Sequence, residues 1–333
     1  MSSTYTTIEI CAGAGGQALG LEQAGFHHSY LVEIENAACC TLKLNRPTWN
    51  VIEADVRSFS ANMLSNIDLL AGGVPCPPFS VAGKQMGQED ERDLFPEMIR
   101  LAGECLPRAI MIENVKGLMS NKFDSYRNHI EDEFEKLGYR GVWKLVNSSD
   151  FGVSQLRPRA IFVAFLDDYL DYFSWPQRII NPPTIGELLF EEMSSNGWKE
   201  SDSWKAKACQ IAPTLVGGSK KHGGPDLGPT RARKAWAVLG VNGSSLANEA
   251  PDADFTGMPK LTVKMAALVQ GFPSNWEFYG KKTAAYRQVG NAFPPPVARE
   301  IGKSIISALK RENKNPWQHQ RNRVLELNFE TTS

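Results

Sequence analysis

Over residues 5–165 short apolar runs alternate with helix-like amphipathic stretches, which predicts an α/β fold built on a doubly wound, largely parallel sheet. Two further observations agree. The chemistry-bearing residues cluster just after the apolar runs, where ligands bind in such sheets. After Trp175 the texture changes to a stretch rich in Gly, Ser and Pro with weak periodicity, which predicts a second, smaller and irregular domain.

Strands are expected at residues 8–11, 30–33, 51–55, 67–71, 109–112 and 160–166, with helices at 17–24, 94–106 and 126–137 between them. Residues 261–273 read as a short helix stopped by Gly271 and Pro273. The prolines 294–296 can start a last helix, in which Val297, Ile301, Ile305 and Leu309 recur at four-residue spacing. The expected division is 1–175 with 281–318 as the catalytic and cofactor-binding domain, 176–280 as the smaller domain, and 319–333 as a polar tail.

A chain of 333 residues is long enough for a sizeable core, and its formal net charge of −1 means that nucleic-acid binding must rest on a local basic patch. The six cysteines, Cys11, Cys39, Cys40, Cys76, Cys105 and Cys209, form no C-x-x-C pair and no metal-ligand spacing, so a reducing compartment and no metal are expected. No secretory signal is visible at the N-terminus, and no apolar run approaches the roughly 20 residues that span a bilayer. A cytoplasmic protein that keeps off membranes is expected.

The first loop with chemistry is Cys11-Ala12-Gly13-Ala14-Gly15-Gly16-Gln17-Ala18, between a strand and a helix. It fits G-x-G-x-x-G/A, and Glu33 follows Gly13 by 20 residues at the end of the next strand, where a carboxylate can accept from ribose hydroxyls. Asp55 ends the third strand, within reach of an adenine amine. This pattern indicates adenosine and does not separate a nicotinamide dinucleotide from S-adenosylmethionine.

Cys76 follows the fourth strand and is flanked by Pro75, Pro77 and Pro78, which restrict the loop backbone. A thiol on a stiffened loop is placed like a nucleophile, although one cysteine alone reads more readily as a small buried hydrophobe. Glu113 and Asn114 directly follow an apolar strand. Gln155, Arg157 and Arg159 enter the last strand at a spacing of two, which predicts one face carrying two guanidiniums. Between 203 and 248 the chain has Lys205, Lys207, Lys220, Lys221, Arg231, Arg233 and Lys234 against Asp226 alone. That local excess, among flexible glycines, suits gripping phosphates and reading base edges.

In this order, Gly13-x-Gly15-Gly16, Pro75-Cys76, Glu113-Asn114-Val115, Gln155-x-Arg157-x-Arg159 and Gln288-Val289-Gly290-Asn291 resemble the cytosine-5 DNA methyltransferases of the bacterial restriction-modification type, over residues 8–306. The resemblance implies the Rossmann-like fold of S-adenosylmethionine-dependent methyltransferases and a DNA (cytosine-5)-methyltransferase activity. It makes Cys76 the nucleophile that attacks carbon 6 of a flipped-out cytosine. Glu113 then binds the exocyclic amine and the protonated ring nitrogen 3. Arg157 and Arg159 join the catalytic set, Arg159 at the base's carbonyl or the developing adduct.

S-adenosylmethionine is implied as cofactor, held by Cys11, Ala12, Gly13, Gly15 and Gly16, by Glu33 at the ribose and Asp55 at the adenine amine, by Ile34, Val56, Pro75 and Leu94, and by Asn291 and Ala292. Double-stranded DNA is implied as partner, contacted by Ser80, Gln155, Lys220, Lys221, Arg231 and Arg233, with residues 176–280 as target-recognition domain. A monomer is expected, with a cognate restriction endonuclease as a functional rather than physical counterpart. Two positions depart from the family. Cys11 stands where most relatives carry Phe, and Pro77 where many carry Gln, so neither an aromatic edge nor a side-chain amide is available there. A nicotinamide dehydrogenase, an RNA cytosine methyltransferase and a non-catalytic DNA-binding relative are the competing readings.

Overall fold

The computed structural model describes residues 4–75, 93–178, 181–217 and 224–312. Seven strands form one sheet: β1 (Tyr5–Ile10), β2 (Phe26–Glu33), β3 (Val51–Glu53), β4 (Leu69–Gly72), β5 (Ala109–Val115), β6 (Tyr139–Asn147) and β7 (Pro158–Leu166). Their order is β3-β2-β1-β4-β5-β7-β6. The first five pair in parallel, and β7 alone runs against its neighbours. The order reverses between β1 and β4, so the carboxyl ends of these strands flank a crevice.

The helices are α1 (Gly16–Ala24), α2 (Asn36–Asn45), α3 (Phe95–Cys105), α4 (Asp124–Lys136), α5 (Ile185–Ser194), α6 (Ser201–Lys207), α7 (Thr230–Val238), α8 (Val263–Val269), α9 (Lys282–Asn291) and α10 (Pro295–Leu309). Of these, α1 and α10 cover one face of the sheet and α3 and α4 the other. Alternate residues of β1 and β4 serve different cores. Ile8, Ile10 and Leu70 pack with α3 and α4, whereas Tyr5, Leu69 and Ala71 pack with α1 and α10. The four-residue row Val297, Ile301, Ile305 and Leu309 of α10 is buried, as its spacing predicts.

The structure adds to the sequence reading in four places. β6 is an edge strand whose Gly141 leaves room for Phe162, and its mixed exposure hides the period of two. α2 is a further helix beyond those read from periodicity. α9, which ends in the Gln288–Asn291 motif, is another helix, where the sequence suggested only a lead into α10. The stretch expected to be irregular carries α5, α6 and α7. A capping box marks the start of α5, with Thr184 accepting from Glu187 N–H and Glu187 accepting from Thr184 N–H. One hydrophobic cluster joins Trp198, Trp204 and Trp236 of this region to Leu42 and Trp49 through Phe272 and Trp276, so the smaller region shares its core with α2. The polar tail expected at 319–333 lies outside the described residues.

The contact of α1 with α10 holds the glycine loop in place, because Gly20 lies against Pro295 and Ala298 with no room for a side chain. A Cβ there would stand 2.5 Å from that of Ala298. Gly20→Ala is expected to cost about 1–3 kcal/mol through overpacking, read as a lower urea midpoint at unchanged slope.

Candidate active site

The turn from β1 into α1 uses left-handed backbone at Cys11 (φ 52°), Gly13 (φ 53°) and Gly15 (φ 85°). One carboxylate stabilises it from the next strand. Glu33 Oε2 accepts from Gly13 N–H and Oε1 from Glu35 N–H, each at 2.7 Å. A Cβ built on Gly13 meets nothing within 4 Å, so the loop faces open space there. Gly16 has no such freedom, since it packs on the Phe293 carbonyl.

Two cavities meet at this loop. One, of about 230 Å³, is bounded by the loop, the start of α2, Gly73, Glu113 and residues 287–293. The other, of about 240 Å³, is lined by Ile34, Asp55, Val56, Arg57, Pro75 and Leu94. Cys11 and Glu33 belong to both and form the shared wall. Ile34 is 60% exposed, an apolar side chain held at the rim of the second cavity. The Asp55 carboxylate accepts from Arg57 N–H and pairs with its guanidinium, both at 3.0 Å, which holds it below the usual carboxylate range. Pro75 O accepts from Leu94 N–H at 3.2 Å, so the chain on either side of 76–92 is joined at this rim.

Deeper in, the β5–β7 pairing sets Glu113 opposite Ile161, and Arg159 lies two residues along the reversed strand on the same side. Their side chains form an ion pair, Arg159 Nε to Glu113 Oε1 at 2.7 Å, with both largely buried. Glu113 Oε2 lies 3.2 Å from the Cβ position of Gly73, three residues before Cys76 in the chain. Asn114 donates to Val74 O at 2.8 Å and fixes this approach.

The first cavity also holds buried polar atoms without partners: both amide atoms of Gln17 and Glu9 Oε2. Burial pushes the Glu9 carboxyl well above its ordinary value, with the neighbouring Glu33 adding to the effect. Burial likewise raises the thiols of Cys11, Cys39 (to about 12) and Cys105 (to about 11), so none of the three is an activated nucleophile.

Of the residues singled out from sequence, Cys11, Ala12, Gly13, Gly16, Glu33, Asn291, Ala292 and Glu113 line the first cavity, and Ile34, Asp55, Val56, Pro75 and Leu94 the second. Gly15 forms the N-terminal cap of α1, against Leu42 and Trp276. Arg231 and Arg233 are exposed on α7. Cys76, Ser80, Lys220 and Lys221 lie outside the described residues.

Two expectations need correcting. Gln155 is fully buried, bonded to Val269 O, Gln270 and Leu215 N–H, and presents nothing to DNA. Arg157 is 1% exposed and donates to the carbonyls of Leu215, Gly290 and Ala292, so it is not a catalytic group at the cavity. The single basic face fails to form because β7 begins only at Pro158. Glu9, Gln17 and Arg287 are cavity residues that sequence reasoning missed. For Glu9 the signal was an acid between the two apolar residues Ile8 and Ile10.

Residues 5–307 match the sequence profile of the C-5 cytosine-specific DNA methylases. The chain belongs to this family. It is 58% identical over 313 residues to the Type II methyltransferase M.NgoMIV of Neisseria gonorrhoeae, covering 93% of this chain and 99% of that protein. It is 51% identical to M.NaeI of Lentzea aerocolonigenes, covering 92% of this chain and 76% of the relative. Among solved structures, the methyltransferase EhMeth of Entamoeba histolytica superposes with a TM-score of 0.65 at 17% identity, over 92% of this chain and 99% of the other. At that identity the likeness concerns the fold. Among the described residues of this methylase no helix is long and apolar enough to cross a membrane, and no group of three or more His, Cys, Asp or Glu could hold a metal ion.

Glu9 yields a signed pH dependence. Its carboxyl holds a proton more tightly in the folded than in the unfolded chain, so its contribution to stability is lost as pH rises from about 4.5 through the raised folded value. Without cofactor, Glu9→Gln is expected to unfold at a higher temperature than the unaltered methylase, by a margin that widens with pH. Melting curves from about pH 5 to about pH 8 test this, and a constant margin contradicts it.

Proposed function

We propose that this methylase transfers a methyl group from S-adenosylmethionine to carbon 5 of a flipped-out cytosine in a specific double-stranded DNA sequence. In this reading it acts as a cytoplasmic monomer, as a DNA (cytosine-5)-methyltransferase of a restriction-modification system. Its product protects DNA from a cognate endonuclease. The observation that carries the reading is that Glu113, paired with Arg159, opens into the same cavity as the glycine loop and Glu33.

The residues present fit this cofactor. Glu33 lies where two ribose hydroxyls can donate, and Ile34 offers an apolar face to adenine, with Asp55 and Val56 at its edge. The open space over Gly13, with the polar side chains of Gln17 and Glu9 in the cavity wall, suits a zwitterionic methionine tail, closed in by Asn291 and Ala292. Bound there, S-adenosylmethionine supplies the methyl group as an electrophile.

The protein's part is to make cytosine nucleophilic. The Cys76 thiolate forms a bond to carbon 6, while Glu113 accepts from the exocyclic amine and holds the proton on nitrogen 3. Arg159 stays paired with Glu113 and reaches the base's carbonyl. Electron density moves to carbon 5, which would take the methyl group as the methyl–sulfonium bond breaks and S-adenosylhomocysteine is left. A base then takes the proton from carbon 5, the electron pair re-forms the ring double bond, and the bond from carbon 6 to sulfur breaks to return the Cys76 thiolate. The base must leave the stack for this, since carbon 6 is attacked from above the ring. Residues 176–280 form the target-recognition domain in this reading, with Arg231 and Arg233 on α7 at its phosphate-contacting face.

Three outcomes are expected. DNA with 5-fluorocytosine at the target should trap the enzyme in a cofactor-dependent adduct that survives denaturation and maps to the peptide with Cys76, and Cys76→Ser should form none. Methylation without trapping, or trapping at another cysteine, overturns this role. Glu33→Ala should weaken S-adenosylmethionine binding by about 1.5–3 kcal/mol, measured by calorimetry. Arg231→Ala with Arg233→Ala should flatten the dependence of log K on log salt by about one unit for each phosphate that the two side chains neutralise, and an unchanged slope places both in solvent.

A further inference from the structure

We propose that Arg157 is a positioning residue that couples the DNA-reading side of this methylase to the wall of its cofactor cavity. The inference rests on the assignment above of the cavity to the cofactor and of α7 to DNA. Arg157 Nη1 donates to Leu215 O at 2.9 Å, and Nη2 to Gly290 O at 2.8 Å and Ala292 O at 3.0 Å. One planar fork thus joins the segment that leads towards α7 to the turn that carries Asn291 and Ala292 into the cavity.

Two glutamines complete a ring around it. Gln155 Oε1 accepts from Leu215 N–H at 2.9 Å, and its Nε2 donates to Gln270 Oε1 at 2.7 Å. Gln270 Nε2 donates in turn to Ala292 O, the carbonyl that Arg157 also holds. All three side chains are essentially inaccessible to solvent. A buried network in which the partners are mutually dependent admits few alternative arrangements, so Leu215 cannot shift without disturbing Ala292. Burying a guanidinium on carbonyls is also a costly way to hold a core together, and apolar side chains of similar volume would serve stability as well.

Packing continues the connection outwards. Gly217 lies backbone against backbone on Gly290, and a Cβ on Gly217 would stand 2.5 Å from Asn291 Oδ1 and 2.7 Å from Arg287 O. On the other side, Gly228 lies beside Val216, where an added Cβ would stand 3.4 Å from the Val216 side chain, and Gly228 leads directly into α7 with its exposed Arg231, Arg233 and Lys234. Gly228, Val216, Gly217 and Gly290 thus form a closely spaced path from α7 to the Asn291 wall, and Arg157 fixes the segment in its middle. Binding at one site and binding at the other are then linked, and reciprocally so.

The test measures S-adenosylhomocysteine affinity by calorimetry, with and without a duplex carrying the sequence that the unaltered enzyme methylates. S-adenosylhomocysteine carries no methyl group, so no turnover intervenes. The unaltered protein should bind it about tenfold more tightly with the duplex present. In Arg157→Lys, which keeps the charge and loses the fork, that ratio should fall towards one. In Gly217→Ala, which lifts the segment without touching the buried charge, the ratio should fall as well, so the test survives a failure of Arg157→Lys to fold. A ratio of one in the unaltered protein, a ratio kept in folded Arg157→Lys or in Gly217→Ala, or an equal loss of affinity with and without DNA would each overturn the proposal. Failure of the underlying assignments reads differently. Duplex affinity unmoved by Arg231→Ala with Arg233→Ala rejects the DNA side, and no binding of S-adenosylhomocysteine to the unaltered protein rejects the cavity.

Discussion

The Glu33 carboxylate is the interaction on which the site depends. It ends β2 and reaches sideways to the loop after β1, where its two oxygens hold the N–H groups of Gly13 and Glu35. Three left-handed residues within five, one of them a cysteine, make that loop an unfavourable conformation by itself. A neighbouring strand that supplies a buried acceptor turns it into a fixed wall. Burial raises the Glu33 pKa and the two N–H donors oppose the rise, the balance expected of a carboxylate kept for binding. Each oxygen can accept a further hydrogen bond, so the group that shapes the loop can also receive a ligand.

The reversal of β7 does the corresponding work for the reacting end. In a wholly parallel sheet the strand beside β5 would run with it, and its first residues would lie at the amino edge, away from the cavity. Because β7 runs backwards, its beginning meets the end of β5, and Arg159 falls diagonal to Glu113 at ion-pair distance. Parallel β1, β2 and β4 bring the glycine loop, Glu33 and Gly73 to that same edge. The chain entering 76–92 leaves at Pro75 and returns at Leu94, whose backbone groups are hydrogen-bonded to each other. One edge of one sheet therefore gathers groups that are spread over nearly 300 residues of sequence.

Local sequence carried the cavity well and its surroundings poorly, for physical reasons. Gly13, Glu33, Asp55 and Glu113 were legible because each follows an apolar run, and in a parallel sheet all such positions share an edge. α10 was legible because its buried row keeps strict four-residue spacing. β6, α2 and α9 were missed because their contacts lie on edges or between helices, where half-buried residues blur any period. α5 had a local signal, the pair Thr184 and Glu187, that a search for hydrophobic periodicity passes over.

Gln155, Arg157 and Arg159 show where such reading stops. By composition they form one motif of similar residues at a spacing of two, and spacing predicts a shared face. Their environments differ because the strand that would enforce the alternation starts after the first two. Arg159 finds a carboxylate, Gln155 finds another amide, and Arg157 finds only carbonyls brought from 58, 133 and 135 residues away. Whether a guanidinium faces solvent or is buried is decided by acceptors distant in sequence. Burying it requires several acceptors to converge on the guanidinium at once, since an unmet charge in the interior costs far more than any single hydrogen bond returns. Among the described residues such a set of acceptors forms around Arg157 only where Leu215, Gly290 and Ala292 converge. The position of Arg157 is therefore a consequence of how the smaller region seats on the sheet, and it becomes legible only once that seating is known.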